Sequence, residues 1–186
     1  DSMYWKSMSL KLDFELMARD SQWMNERLYA AAAQLDEAEL QADRGAFFGS
    51  ILATLAHIHA ADMHWMKRFA VALPQMASLD AVRARPLPEL VRGISFPDFA
   101  RLRSEREAMD AVIMDFTVEA TDELYGQPLH YVNSSGEPHV KLSGLVLRHV
   151  FNHQTHHRGQ VTTLFSQLGI DVGVTDVSAL IPEIPA

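Results

Sequence analysis

The stretch SGLVLRHVFNHQTHHRGQVTTLFSQL, residues 143–168, decides the fold. It holds no proline and is followed by Gly169, a natural left-handed C-terminal residue, so it reads as one long helix. Stepping by about 100° per residue gathers Val146, Val150, Val161, Leu164 and Leu168 into one arc. His153 and His157 fall inside that arc, while His149 sits at its edge and His156 further out. The helix therefore turns an apolar stripe inward and carries two imidazoles on it, one turn apart.

A helix of this kind needs partners, and the chain upstream supplies them. Leu129-His130-Tyr131-Val132 alternates, and Asn133-Ser134-Ser135-Gly136 is turn-forming, so a short hairpin is expected between Leu129 and Leu142. Before it, Phe99, Leu102, Arg106, Met109, Ile113 and Phe116 mark a third helix that ends near Glu119, capped by Ser95 or Asp98, with a solvated charged face. Pro86 and Pro88 mark the loop ahead of it. A second helix runs from about Ser50, a candidate cap, to Ala72, and Pro74 sets its end. Leu12, Leu16, Trp23, Leu28, Ala31 and Leu35 give a first helix from Met8 to about Gln34, followed by a turn through Asp36 to Gly49. The tail through Pro182 and Pro185 reads as extended. No internal repeat or linker interrupts the chain. The expectation is all-α: one domain over residues 1–186, a four-helix bundle with a short hairpin before the last helix.

Composition narrows the function. The 186 residues are 48% hydrophobic and 22% charged, ordinary for a globular chain, and 24 acidic against 16 basic residues leave a net charge of −8. That balance offers no general attraction to phosphate backbones or anionic lipid. There is no cysteine, hence no disulfide framework, thiolate metal site or cysteine nucleophile, and a cytoplasmic location is expected. The apolar run Phe47 to Ala61 is broken by Gly49, Ser50, His57 and His59, too short and too polar for a membrane span. Lys6, Lys11 and Asp13 interrupt any signal-peptide core, and Met3 behind Asp1 and Ser2 reads as the original start.

Histidine carries the chemistry. Seven of the nine lie on two helices: His57, His59 and His64 on the second, His149, His153, His156 and His157 on the fourth. Two inward imidazoles cost free energy unless their nitrogens find partners, and one divalent ion satisfies both at helical i, i+4 spacing. Core histidines bonded to backbone or side chains satisfy the same requirement, and spacing alone does not choose. A third ligand would come from the second helix. There the wheel places His59 on the arc of Ile51, Leu52, Leu55, Met66 and Phe69, and His57 opposite, among Ser50, Ala53, Ala60, Ala61 and His64. Periodicity favours His59; the small residues around His57 leave room for a cavity. His153-Gln154-Thr155-His156-His157 lacks the glutamate of a metalloprotease helix, and no phosphate loop, dinucleotide fingerprint or Gly-x-Ser-x-Gly elbow is present. The Asn133-Ser134-Ser135 sequon is incidental, and the three tryptophans and nine methionines read as core packing.

Trp23-Met24-Asn25-Glu26-Arg27-Leu28, the run Gly49 to Ile58 with Asp62 and Trp65 after it, Phe151 to Gln160, and Leu168-Gly169-Ile170-Asp171 together resemble the DinB (DNA-damage-inducible) family, over nearly the whole chain. The resemblance implies an up-down-down-up four-helix bundle, a homodimer, and a three-histidine divalent metal site. Carried over by motif, the ligands are His57, His153 and His157, against the wheel's preference for His59. It further implies kinship with enzymes that conjugate or isomerise small molecules using low-molecular-weight thiols. The family name records induction, not DNA binding.

The reading that follows is a metal-dependent enzyme acting on a small molecule by thiol transfer or hydrolysis. Nickel or zinc stands ahead of iron or manganese as the ion. The competing reading is a non-catalytic, stress-related metal- or ligand-binding protein. Neither nucleic acid nor membrane is an expected partner. A second copy of the chain is, because the second helix also has small residues, Ala53, Ala56, Ala60 and Ala61, on the side away from its Leu and Ile stripe. The charge makes one outcome directly checkable: a fluorescence-anisotropy titration at physiological salt should show no binding to random duplex DNA, and micromolar, salt-dependent affinity would contradict it.

Overall fold

A computed structural model describes residues 9–87 and 98–183, so Met8, Pro88, Ser95 and Pro185 lie outside the described residues. Four long helices dominate: α1 (Leu10–Ala32), α3 (Ile51–Ala72), α5 (Phe99–Glu119) and α7 (Ser143–Gln167). Short helices α2 (Glu37–Gln41), α4 (Asp80–Arg83) and α6 (Asp122–Tyr125) lie in the connections, with an antiparallel hairpin of β1 (Pro128–Val132) and β2 (Pro138–Leu142) before α7. The fold is all-α apart from that hairpin. Side-chain oxygens of Ser9, Ser50 and Asp98 cap α1, α3 and α5 by accepting from Leu12, Ala53 and Arg101 N–H, and Gly169 closes α7 at φ +74°.

The differences from expectation are local. The segment from Asp36 is not a plain turn: Asp36 and Glu39 form a reciprocal capping box that holds α2 together. The chain between Pro74 and Pro86 folds into a 3-10 turn (Ala77–Leu79) and α4, and the tail contains a 3-10 turn (Val177–Leu180) instead of running fully extended. Elements of three to five residues have no apolar period to read.

Ring and charge contacts fix the helix directions. Phe14 stacks on Phe151 and Asp13 accepts from Arg148, pairing the first halves of α1 and α7, which are therefore parallel. Tyr29 stacks on Phe99, and Lys11 Nζ donates to Ala120 O at the other end, so α1 and α5 are antiparallel. Phe69 meets Phe116 as Asp62 meets Arg106, making α3 and α5 parallel; α3 runs against α7, with His57 facing His153 and Trp65 facing His149. The order is up-down-down-up, and the parallel α3/α5 pair requires the connection after Ala72 to travel back along the bundle.

The first helix departs most from its expected stripe. Leu12 is 60% exposed, whereas Phe14, Ala18, Ser21, Asn25, Leu28 and Ala32 face inward with Asp20. Polar groups sit on the inner face because they complete a layer across the bundle. Arg106 Nη1 donates to Asp62 Oδ2 at 2.5 Å and its Nη2 pairs with Asp110 Oδ1 at 2.9 Å, where Asn25 Nδ2 also donates. Gln154 Nε2 donates to the same Asp62 oxygen at 2.8 Å and its Oε1 accepts from Ser21 Oγ. Arg158 donates to Ser21 Oγ and Asp20 Oδ2. Apolar clusters lie on either side, one around Phe14, Met66, Phe116 and Phe151, the other around Leu28, Leu55, Leu102 and Phe165.

Of the small residues on the side of α3 away from its Leu and Ile stripe, Ala56 and Ala60 are fully buried and Ala61 nearly so within one chain, while Ala53 is half-buried. Three of the four thus need no second subunit to cover them.

Removing one member of a buried ion pair leaves the other charge uncompensated, at a cost of about 3–5 kcal/mol. Asp62→Ala and Arg106→Leu should each lower unfolding free energy by roughly that amount in urea denaturation, and the double variant should lose much less than their sum.

Candidate metal centre

The α3 backbone presents His57, and α7 presents His153 and His157 one turn apart, at the level of the polar layer. Gln154 and Arg158, adjacent in sequence to the two α7 histidines, are pinned in that layer and so fix the rotation of α7 about its axis. One nitrogen from each of the three rings lies within 4.8 Å of the others, an arrangement that could hold a divalent ion. His57 Nε2 and His153 Nε2 are 3.1 Å apart, and ring centroids are 4.3 Å apart for His153 and His157 and 4.7 Å for His57 and His157.

The donor set fits a metal. Imidazole nitrogens bound at about 2.0–2.1 Å stand about 3.3 Å apart in tetrahedral geometry and about 2.9 Å apart at right angles, bracketing the observed 3.1 Å. His157 Nδ1 donates to Gln160 Oε1 at 2.8 Å, which leaves the lone pair on Nε2. Burial, reinforced by the neighbouring imidazole of His157, lowers the His57 pKa to about 4 and that of His153 to about 3. Burial also lowers that of His157, against the opposing effect of Gln160. The rings are therefore neutral at physiological pH, the form in which an imidazole can hold a metal. Phe48 stacks on His57 at 4.0 Å and meets His157 edge-on, shielding one side of the cluster. No candidate signal in the sequence marked Phe48 or Gln160; the Gln160 spacing of three residues after His157 was the one available hint.

His59 is elsewhere. It is 3% exposed, with a pKa lowered to about 3 by burial and by Arg106 and Arg85, and it does not join the three-ring cluster. His149 touches the ring of His153 at 6.1 Å between centroids, and His156 packs against His157 while staying exposed.

The fold and this cluster define a helical bundle with a three-histidine site between an antiparallel helix pair. A family model described as "DinB family" matches residues 8–183, and the chain belongs to that family. It is similar to Protein DinB of Bacillus subtilis (strain 168), 26% identical over 155 residues that cover 83% of this chain and 85% of the relative. No solved structure matches significantly.

Alanine at His57, His153 or His157 should abolish bound zinc in elemental analysis after metal loading, while His59→Ala retains it. Gln160→Leu should weaken the site roughly 10- to 100-fold in chelator competition. Because burial lowers the metal-free rings of His57 to about 4 and of His153 to about 3, and lowers His157 as well, protons should compete for the site less than they do for free imidazoles of pKa about 6.5. Zinc affinity should therefore fall less steeply below pH 6.5 than three unshifted imidazoles require, and the full three-proton decline beginning at pH 6.5 would contradict the burial.

Proposed function

We propose that the protein is a metal-dependent enzyme that transfers a low-molecular-weight thiol to, or isomerises with it, a small electrophilic molecule. The observation that carries this reading is the incompleteness of the ligand set. His57, His153 and His157 form the cluster with no fourth histidine or carboxylate among the described residues, and His57 and His153 are only half-buried. Structural metal sites close themselves with four protein ligands; sites that do chemistry keep a position for an exogenous one. A divalent ion at such a site holds a thiolate or lowers the pKa of bound water to about 7. Three neutral imidazoles leave the full +2 charge available for that purpose. Gln160 keeps the His157 ring in its ligating tautomer, and Phe48 limits water on one flank. Thiol transfer is placed ahead of hydrolysis because the family resemblance includes thiol-dependent enzymes and the chain has no cysteine of its own to supply sulfur. Nickel and zinc are the leading ions, with iron and manganese behind them.

The test is metal analysis of protein purified without nickel affinity, followed by a screen of electrophiles with and without added thiols. Metal-dependent, thiol-dependent product that disappears in His153→Ala is expected. Thiol-independent turnover would shift the assignment to hydrolysis, and stoichiometric metal with no turnover would favour a non-catalytic metal-binding protein.

A further inference from the structure

Beyond the three-ring cluster, the α3/α7 face continues into two adjoining cavities. One, of about 700 Å3, lies between α3 and the hairpin and includes Lys67, Arg68, Tyr131 and His139 in its lining. The other, of about 610 Å3, reaches α7 and adds Trp65, Lys141 and His149. Arg68, Tyr131, Asn133 and His139 line both. The wall is a run of touching rings: His139 stacks on Tyr131, Tyr131 meets Trp65 at 5.4 Å, Trp65 meets His149 at 5.3 Å, and His149 meets His153. The cavities are thus joined to the candidate metal centre by direct ring contact.

Their charge is the reverse of the molecule's. In a chain of net charge −8, the described lining of both cavities contains Lys67, Arg68 and Lys141 and no aspartate or glutamate. Lys67 spends its ammonium on the carbonyls of Val82 and Arg83. Arg68 does not: its guanidinium lies 4.3 Å from the Trp65 ring centroid and 5.2 Å from that of Tyr131, and no carboxylate pairs with it among the described residues. A guanidinium held over the Trp65 ring and beside that of Tyr131 keeps N–H groups available for a planar anion. The mouth is apolar, with Val71, Val140 and Leu145 more than half exposed.

We infer that this cavity binds an amphipathic small anion, an apolar body ending in a carboxylate or phosphate that Arg68 receives. Assigning that anion as substrate of the three-histidine centre rests on the enzymatic reading above, whereas the binding itself does not. From His57 to Arg68 the helix advances eleven residues, about 16 Å along the axis, which sets the reach of a molecule that touches both ends.

The experiment uses chelator-treated, metal-free protein and three matched probes in calorimetric titrations: 4-phenylbutyrate, phenylbutyl phosphate and the neutral 4-phenylbutyramide. At least one anion should bind roughly ten- to a hundred-fold more tightly than the amide, the size of a charge-assisted hydrogen bond. The tighter anion identifies carboxylate or phosphate as the natural head group. Arg68→Gln should erase the preference, Arg68→Lys should retain part of it, and His153→Ala should leave it unchanged. Equal binding of all three probes, no binding of either anion, or an unaltered preference in a folded Arg68→Gln protein overturns the inference. So does light scattering that shows a dimer dissociated by Leu145→Glu with no anion preference, which gives the face to a second copy. Loss of zinc binding in the cluster variants is read separately, so either reading can fail alone.

Discussion

The buried pair between Asp62 and Arg106 organises the rest of the molecule. Both side chains are almost wholly removed from water, and Gln154, Asp110 and Asn25 offset part of the cost of that removal. Burial raises the Asp62 and Asp110 carboxyls against the pull of Arg106, a measure of how completely the layer excludes solvent. Such a layer adds little net stability over an apolar one. Its effect is to select a register. Sliding α3 by one turn would place Ile58 or Met66 opposite Arg106 in place of Asp62, leaving the guanidinium with Asp110 of its own helix alone and Gln154 Nε2 without its acceptor. Four helices with interchangeable apolar stripes are thereby limited to one alignment.

That alignment places the three histidines together. Gln154 and Arg158 are bonded to Asp62, Ser21 and Asp20, and the residues before each of them, His153 and His157, are turned by about 100° towards α3. On α3 the same layer fixes Asp62, five residues from His57. The cluster, with His57 and His153 half-buried and His157 buried, is neutral beside a layer that is buried and charged, and the two share helices without sharing side chains. The three imidazoles thus gain fixed positions while the ionic groups stay out of the cluster.

This dependence also explains what could be read in the sequence. The α7 pair was legible because Val146, Val150, Val161 and Leu164 define one narrow arc, and His153 and His157 fall within it. The α3 member of the cluster was not: residues on nearly the whole circumference of that helix are buried, so an inward direction has no single meaning, and the wheel pointed to His59, which lies towards Arg106 instead. Motif resemblance pointed to His57, which the structure brings into the three-ring cluster, where periodicity pointed to His59. The α1 stripe misled for the complementary reason, since a face carrying Asp20, Ser21 and Asn25 scores as solvent-exposed unless its partners on α5 and α7 are known. Phe48 owes its place over His57 to tertiary packing that no local pattern encodes.

The same layer constrains how any small molecule reaches the histidines. Asp62, Arg106, Gln154 and Arg158 are each at most 3% exposed, and with the apolar clusters on both sides they fill the space between the four helices. Entry along the bundle axis would require breaking the ionic layer. Approach is therefore across the outer groove of α3 and α7, bounded at one end by Phe48 and at the other by the hairpin, whose Tyr131 rests on Trp65. The hairpin immediately precedes α7 in the chain, with Ser143 N–H and Oγ both donating to Gln127 O across its base, so it is tied to the helix that carries two of the three histidines. The hairpin that bounds this groove packs on both of its helices, through Tyr131 on Trp65 of α3 and the Ser143 bonds at the start of α7, and Leu129 anchors it in the core.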